Sequence, residues 1–85
     1  MKYAYPAIFR VDKDDNKYIN VSFPDLMGMV TCGEGMDDAL FMAKDLLTLA
    51  MGIDYLRDTP PTSLEATCAN FPDAEIIMVE VDVDD

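Results

Sequence analysis

Phe23-Pro24-Asp25-Leu26-Met27-Gly28, then Met29-Val30-Thr31-Cys32-Gly33-Glu34-Gly35 and the acidic helix start Asp37-Asp38-Ala39-Leu40, is the stretch that decides the fold. A strand ends at Pro24, because proline has no amide hydrogen to give to a ladder. The chain turns at Gly28, runs extended through Met29–Cys32, and is released by Gly33 and Gly35 into a helix. Gly35 sits at the N-cap position, which glycine tolerates without offering a side-chain acceptor. Glu34, Asp37 and Asp38 lie near the positive end of the helix dipole, where carboxylates are favoured.

Upstream, Lys2–Val11 alternates in period two. Tyr3, Tyr5, Ala7, Phe9 and Val11 share one face, and Ala4, Pro6, Ile8 and Arg10 the other, with Pro6 calling for an edge or a bulge. Asp12–Lys17 reads as a hairpin connection, and Tyr18–Phe23 returns with Ile19, Val21 and Phe23 inward. Downstream, the spacing predicts a helix over Met36–Met51. Its core-facing stripe is Leu40, Ala43, Leu47 and Ala50, widened by Ala39 and Leu46. Gly52 stops it, Ile53–Arg57 adds a turn, and Pro60-Pro61 opens a linker over Thr62–Pro72 that crosses back over the domain. Glu75–Val83 is the last strand, with Ile77, Val79, Val81 and Val83 inward and Asp84 and Asp85 blunting it against aggregation. The order β-β-β-α-β predicts an α+β, two-layer fold. A three-stranded meander and a helical crossover bring the last strand beside the first and parallel to it, giving one mixed sheet with one face covered by the helix.

Eighty-five residues, half of them hydrophobic, make one small domain, residues 1–85. The richest apolar run, Ala39–Met51, is interrupted by Lys44, Asp45 and Thr48, and Met1–Pro6 lacks the apolar core of a signal peptide. No membrane span is expected, and the cytoplasm is the expected compartment. Cys32 and Cys68 have no C-x-x-C spacing and are expected as free thiols packed as small hydrophobes. Seventeen acids against six bases give a net charge of −11, which disfavours contact with phosphates and any direct binding of nucleic acid by this chain. Such a surface suits a basic partner, or is simply a solvated acidic exterior.

The chain has no histidine, which removes Ser-His-Asp and Cys-His pairs, imidazole acid–base work and imidazole zinc sites. Gly33-Glu34-Gly35 lacks the spacing of a phosphate loop and puts a carboxylate where phosphate would approach. Asp12, Asp14 and Asn16 match the first ligands of a calcium loop, but Lys17 stands at the glycine position and Phe23 at the final glutamate, which leaves a solvated hairpin turn. The first strand carries no Asp or Glu, so the acid that a two-metal nuclease would place there is missing. No catalytic residue, no metal ligand set and no cofactor site are expected.

Binding chemistry remains. Asp37, Phe41, Asp45 and Thr48 recur at helical spacing on a stripe away from the core. Phe41, with a carboxylate one turn above and below, reads either as a partner anchor with an electrostatic rim or as a core residue tucked under Pro60–Ser63. Asp45 reads either as a partner-facing group or as a solvated helix acid.

The ordered set of Tyr5-Pro6-Ala7-Ile8-Phe9, Phe23-Pro24-Asp25-Leu26-Met27-Gly28, Thr31–Gly35 with Asp37–Leu40, and Pro60-Pro61-Thr62-Ser63 resembles the HicB family, the antitoxin half of bacterial HicA–HicB toxin–antitoxin pairs. The resemblance spans Lys2–Val83, with Met27 where the family has the second proline of F-P-D-L-P-G. It implies a partial RNase H-like fold and an antitoxin that is not an enzyme. The implied partner is HicA, a small basic mRNA interferase with a double-stranded-RNA-binding-like fold and a catalytic histidine, neutralised when its RNA-binding and catalytic face is covered. Asp45 falls on an acidic position of the family's A-x-D/E pattern. Family members commonly continue into a DNA-binding domain. The sequence stops at Asp85, directly after the last strand, so no C-terminal DNA-binding domain and no autorepression are expected, and a homo-oligomer is left open. The alternative is a solitary HicB-like acidic adaptor without a toxin, marked by the lack of a small basic gene product encoded next door. A metal-dependent nuclease ranks behind both.

Overall fold

A computed structural model describes residues 1–83, with Tyr55 described by its backbone alone. Strands β1 (Lys2–Val11), β2 (Tyr18–Ser22) and β3 (Val30–Glu34) form the meander. Helices α1 (Met36–Ala50), α2 (Asp54–Arg57) and α3 (Leu64–Asn70) follow, and β4 (Glu75–Asp82) completes a sheet of order β3-β2-β1-β4. The β1–β2 hairpin closes through Asp12 N–H to the Tyr18 carbonyl (2.9 Å), with the Asp15 carboxylate accepting from Lys17 N–H (3.1 Å). Pro6 lies where β1 pairs with β4 alone, beyond the reach of β2, as its missing donor requires.

The core lies between the sheet and α1. Tyr5, Ala7, Phe9, Val21, Val79 and Val81 meet Ala39, Ala43, Leu47 and Ala50, which is the expected alternation and the expected helical stripe. Ile19, Ile77, Val83, Leu40 and Leu46 pack at its margin. Val11, on the same face of β1 as the buried Phe9, is exposed at the hairpin end of the strand.

The last strand lies beside the first, but antiparallel to it, so the sheet is wholly antiparallel and not mixed. The reason lies between residues 51 and 74. The helix α1 carries the chain back along the sheet, and the segment after it makes a second traverse. Thr59 accepts a hydrogen bond from the Tyr5 hydroxyl, while Phe71 stands over Arg10, 5.9 Å from its guanidinium, so the segment runs the same way as β1. It delivers the chain opposite Phe9, and β4 has to run back. Part of the expected linker is α3, started by Ser63, whose hydroxyl accepts from Ala66 N–H (3.1 Å), a local N-cap. The second face of the sheet is also partly covered: Pro6 and Ile8, on the same face as Arg10, are buried. Cys32 and Cys68 are free thiols and both are exposed, not packed inside, because Cys32 points from β3 away from the helix. Asp84 and Asp85, expected to blunt the last strand, lie outside the described residues.

The Phe23–Gly28 motif is a double turn: Leu26 N–H bonds the Phe23 carbonyl and Met29 N–H the Leu26 carbonyl, each at 3.0 Å, with Gly28 at φ +84°. Its aspartate has a structural task. Both Asp25 oxygens bind Thr62, one the backbone N–H (2.7 Å) and one the hydroxyl (2.6 Å), which ties the Pro60–Ser63 segment to the turn. Tyr5 holds the same segment at Thr59, and burial, then the nearby Asp25 charge and Tyr3, push its phenol pKa up.

Gly33 does not end β3; it is inside the strand and buried. A Cβ there would lie 2.4 Å from Ala39 N and 2.5 Å from Ala39 Cα, so α1 rests directly on the β3 backbone. Gly33→Ala is expected to cost about 3 kcal/mol or to abolish folding, since the opposing atoms are main chain and cannot swing aside; urea unfolding checks it. Asp25→Ala removes two acceptors and is expected to cost about 2 kcal/mol by the same method. Because the folded-state pKa of Tyr5 is raised, its contribution is complete below about pH 10 and is lost as pH rises through the folded value. Wild type should therefore lose more stability than Tyr5→Phe above about pH 10.

Candidate functional site

Helix α1 turns one face fully into the core, and its small residues Ala39, Ala43 and Ala50 let it sit low on the sheet. The opposite face is consequently displayed along the helix's whole length. The structure places Asp37, Phe41, Asp45 and Thr48 there, all exposed. Phe41 is 66% exposed and is not covered by Pro60–Ser63, which is held by Asp25 and Tyr5 elsewhere. The reading of Phe41 as a core residue tucked under Pro60–Ser63 is therefore excluded.

The four residues do not act alike. Thr48 turns its hydroxyl back onto the Lys44 carbonyl (2.8 Å), one turn earlier, which leaves its methyl group outward. Asp37 and Asp45 have no ion pair among the described residues. Asp38, three residues past the N-cap, reaches back so that its carboxylate accepts from Glu34 N–H (2.8 Å), which ties the first turn of α1 to the end of β3 while the N-cap itself, Gly35, has no side-chain acceptor. The sequence reading left out Leu49, 65% exposed and two turns beyond Phe41. Its spacing of eight from Phe41 was the available signal, hidden because Leu49 sits among the core leucines of the same helix. Chemically, the face offers two exposed apolar side chains separated by a carboxylate, with Lys44 as the cation of α1. It can bind and desolvate a partner; it has no nucleophile–base pair.

A groove of about 560 Å³ opens on the other side of the molecule, lined by Ile8, Arg10, Lys13, Asn20, Ser22 and Val30 among others. Asn20 there donates to Asp12 (3.4 Å). Among the described residues no three His, Cys, Asp or Glu side chains are grouped so as to hold a metal ion. No helix among them is long and apolar enough to cross a membrane.

Residues 4–81 match the family model described as the HicB-like antitoxin of bacterial toxin–antitoxin systems. The fold is similar to that of a chain in a toxin–antitoxin complex from Streptococcus pneumoniae, with a TM-score of 0.72 and 26% sequence identity over 99% of this chain and 70% of that one. No curated protein matches the chain.

A side chain displayed to this extent contributes little to folding. Phe41→Ser is expected to leave the unfolding free energy measured in urea within about 0.5 kcal/mol of wild type, whereas Leu47→Ala, fully buried on the opposite face, should cost about 3 kcal/mol.

Proposed function

The chain belongs to the HicB-like antitoxin family, and from that premise we propose that it neutralises a small basic RNA-cleaving toxin of the HicA type by covering its RNA-binding and catalytic face. The observation that carries the reading is Phe41, an aromatic exposed on a helix that has already spent its other face on the core, with Asp37 and Asp45 one turn to either side. An aromatic anchor desolvated within a charged rim is what a tight protein–protein contact requires. Neutralisation on this reading is steric and electrostatic. The net charge of −11 speeds encounter with a cationic surface, and Phe41 and Leu49 hold the complex once formed. Asp45 faces the toxin's basic or imidazolium group. The chain itself performs no chemistry.

Purification of the protein at native level from its own cells, with identification of what accompanies it, tests the reading. A small, basic, histidine-containing protein with ribonuclease activity, silenced in the complex, is the expected result. Repeated recovery of the chain alone, with no basic neighbour expressed, would replace the antitoxin by the solitary adaptor. With the toxin in hand, Phe41→Ala and Asp45→Ala are each expected to weaken binding about tenfold or more. The association rate should fall as salt is raised from about 50 to 500 mM, and a rate indifferent to salt would remove the electrostatic half.

A further inference from the structure

The outer edge of β3 is built to accept a strand, and the hydrogen-bond parity of the sheet shows which groups are available. Phe23 N–H bonds the Met29 carbonyl (3.2 Å) and Gly35 N–H the Lys17 carbonyl (3.0 Å), at the two ends of the β2–β3 ladder. With Tyr18 opposite Glu34 and Ser22 opposite Val30, the residues of β3 that turn their backbone groups toward β2 are Thr31 and Gly33. Those of Val30, Cys32 and Glu34 point outward. The Glu34 N–H is taken by Asp38 (2.8 Å). The N–H groups of Val30 and Cys32 have no partner among the described residues, and both residues are exposed, Val30 at 67%.

The contact between Asp38 and Glu34 also fixes which side of α1 overhangs this edge. Asp38, Met42, Asp45 and Leu49 recur at i, i+4, i+7 and i+11, a stripe that starts at this edge with Asp38, while α1 itself goes on across the sheet to pack on β4 as well. Two of the four are carboxylates, and Glu34 adds a third at the end of the strand. A second copy of the chain paired at this edge would bring two sets of the same carboxylates, Glu34 and Asp38, together. A strand with basic side chains would meet them favourably. The other free edge, β4, differs: two of its three acids already have cations, Asp82 the N-terminal ammonium (3.0 Å) and Glu80 the Lys2 ammonium (3.8 Å), and α3 packs beside it.

We propose that a strand of the basic toxin adds to β3, hydrogen-bonding Val30 and Cys32 and turning basic side chains toward Asp38. This rests on the antitoxin reading and names the contact by which it works. Main-chain bonds supply affinity and the flanking stripe supplies selectivity, as in other cases of strand addition. Asp38 closes the Glu34 end, so the added strand is short.

The test uses the full chain and the small basic protein captured with it. Val30→Pro removes an outward N–H without touching the β2 ladder, while Val30→Ala keeps that N–H and trims the side chain. Val30→Pro is expected to weaken binding about tenfold or more and Val30→Ala less than about threefold. In the wild-type complex the Val30 and Cys32 amides should exchange with solvent far more slowly than in the free chain. Wild-type affinity of a folded Val30→Pro variant, or unchanged exchange of both amides in the complex, overturns strand addition while leaving the antitoxin reading standing. If Val30→Pro does not fold, amide exchange in the wild-type complex decides alone. Protection of both amides in the chain alone, rising with its concentration, would overturn the basic occupant in favour of a second copy. Failure to capture any basic protein would overturn the antitoxin reading, and strand addition with it.

Discussion

The seat of α1 on the β3 backbone governs the rest of the molecule. At Gly33 the strand and the helix approach to a distance that leaves no room for a Cβ. The approach is possible because Gly35, at φ +82°, turns the chain sharply from one element into the other. Once α1 starts that low, alanine suffices at positions 39, 43 and 50 of its inner face, and Leu47 fills the remaining depth against Tyr5, Val79 and their neighbours. Bulk is thereby freed from the inner face. The larger side chains Phe41 and Leu49 appear on the outer one, where they do nothing for the core. The low seat of the helix and the bulk displayed on its outer face thus both trace to one missing methyl group.

A second constraint acts on the chain after α1. Asp25 and Tyr5 hold Thr62 and Thr59, and between them fix the path of the Pro60-Pro61 segment. The Asp of the Phe-Pro-Asp-Leu turn therefore belongs to the scaffold and not to the binding face. The segment it anchors chooses the direction of β4, and hence leaves α3 beside β4 and β3 open at the opposite side of the sheet.

Much of this was legible in the sequence, for definable reasons. The strands showed because one face of the sheet is buried and period-two alternation records burial. The helix showed because its stripe and acidic first turn agree. The direction of β4 did not show, because it depends on how many times the chain traverses the sheet between residues 51 and 74. The helix that makes the second traverse is seven residues long and buries Thr67, leaving almost no apolar period to read. Gly33 was read as a terminator because a glycine next to a helix start has two uses, conformational freedom and close approach, and only coordinates separate them. For the surface stripe, spacing gave Asp37, Phe41, Asp45 and Thr48 correctly as neighbours facing away from the core. It could not say whether Phe41 was covered, which depends on a segment twenty residues away held by Asp25.

The charge of the molecule joins stability to binding. The described ion pairs engage Asp82, Glu80 and Asp54, all largely exposed, and surface pairs of this kind add little. Most of the seventeen acids therefore repel one another across a small surface, and that repulsion opposes the folded state more than the expanded one. On the proposed reading, a cationic partner cancels it on binding. Part of the free energy of association is then the relief of strain already present in the free chain, and by linkage the bound chain is more stable than the free one. Glu34 and Asp38 bring this charge to the β3 edge, where the outward N–H groups of Val30 and Cys32 have no partner among the described residues. Acids at a strand edge disfavour the pairing of like copies, and on the proposed reading the same acids that weaken the chain when alone leave that edge to a partner of the opposite charge.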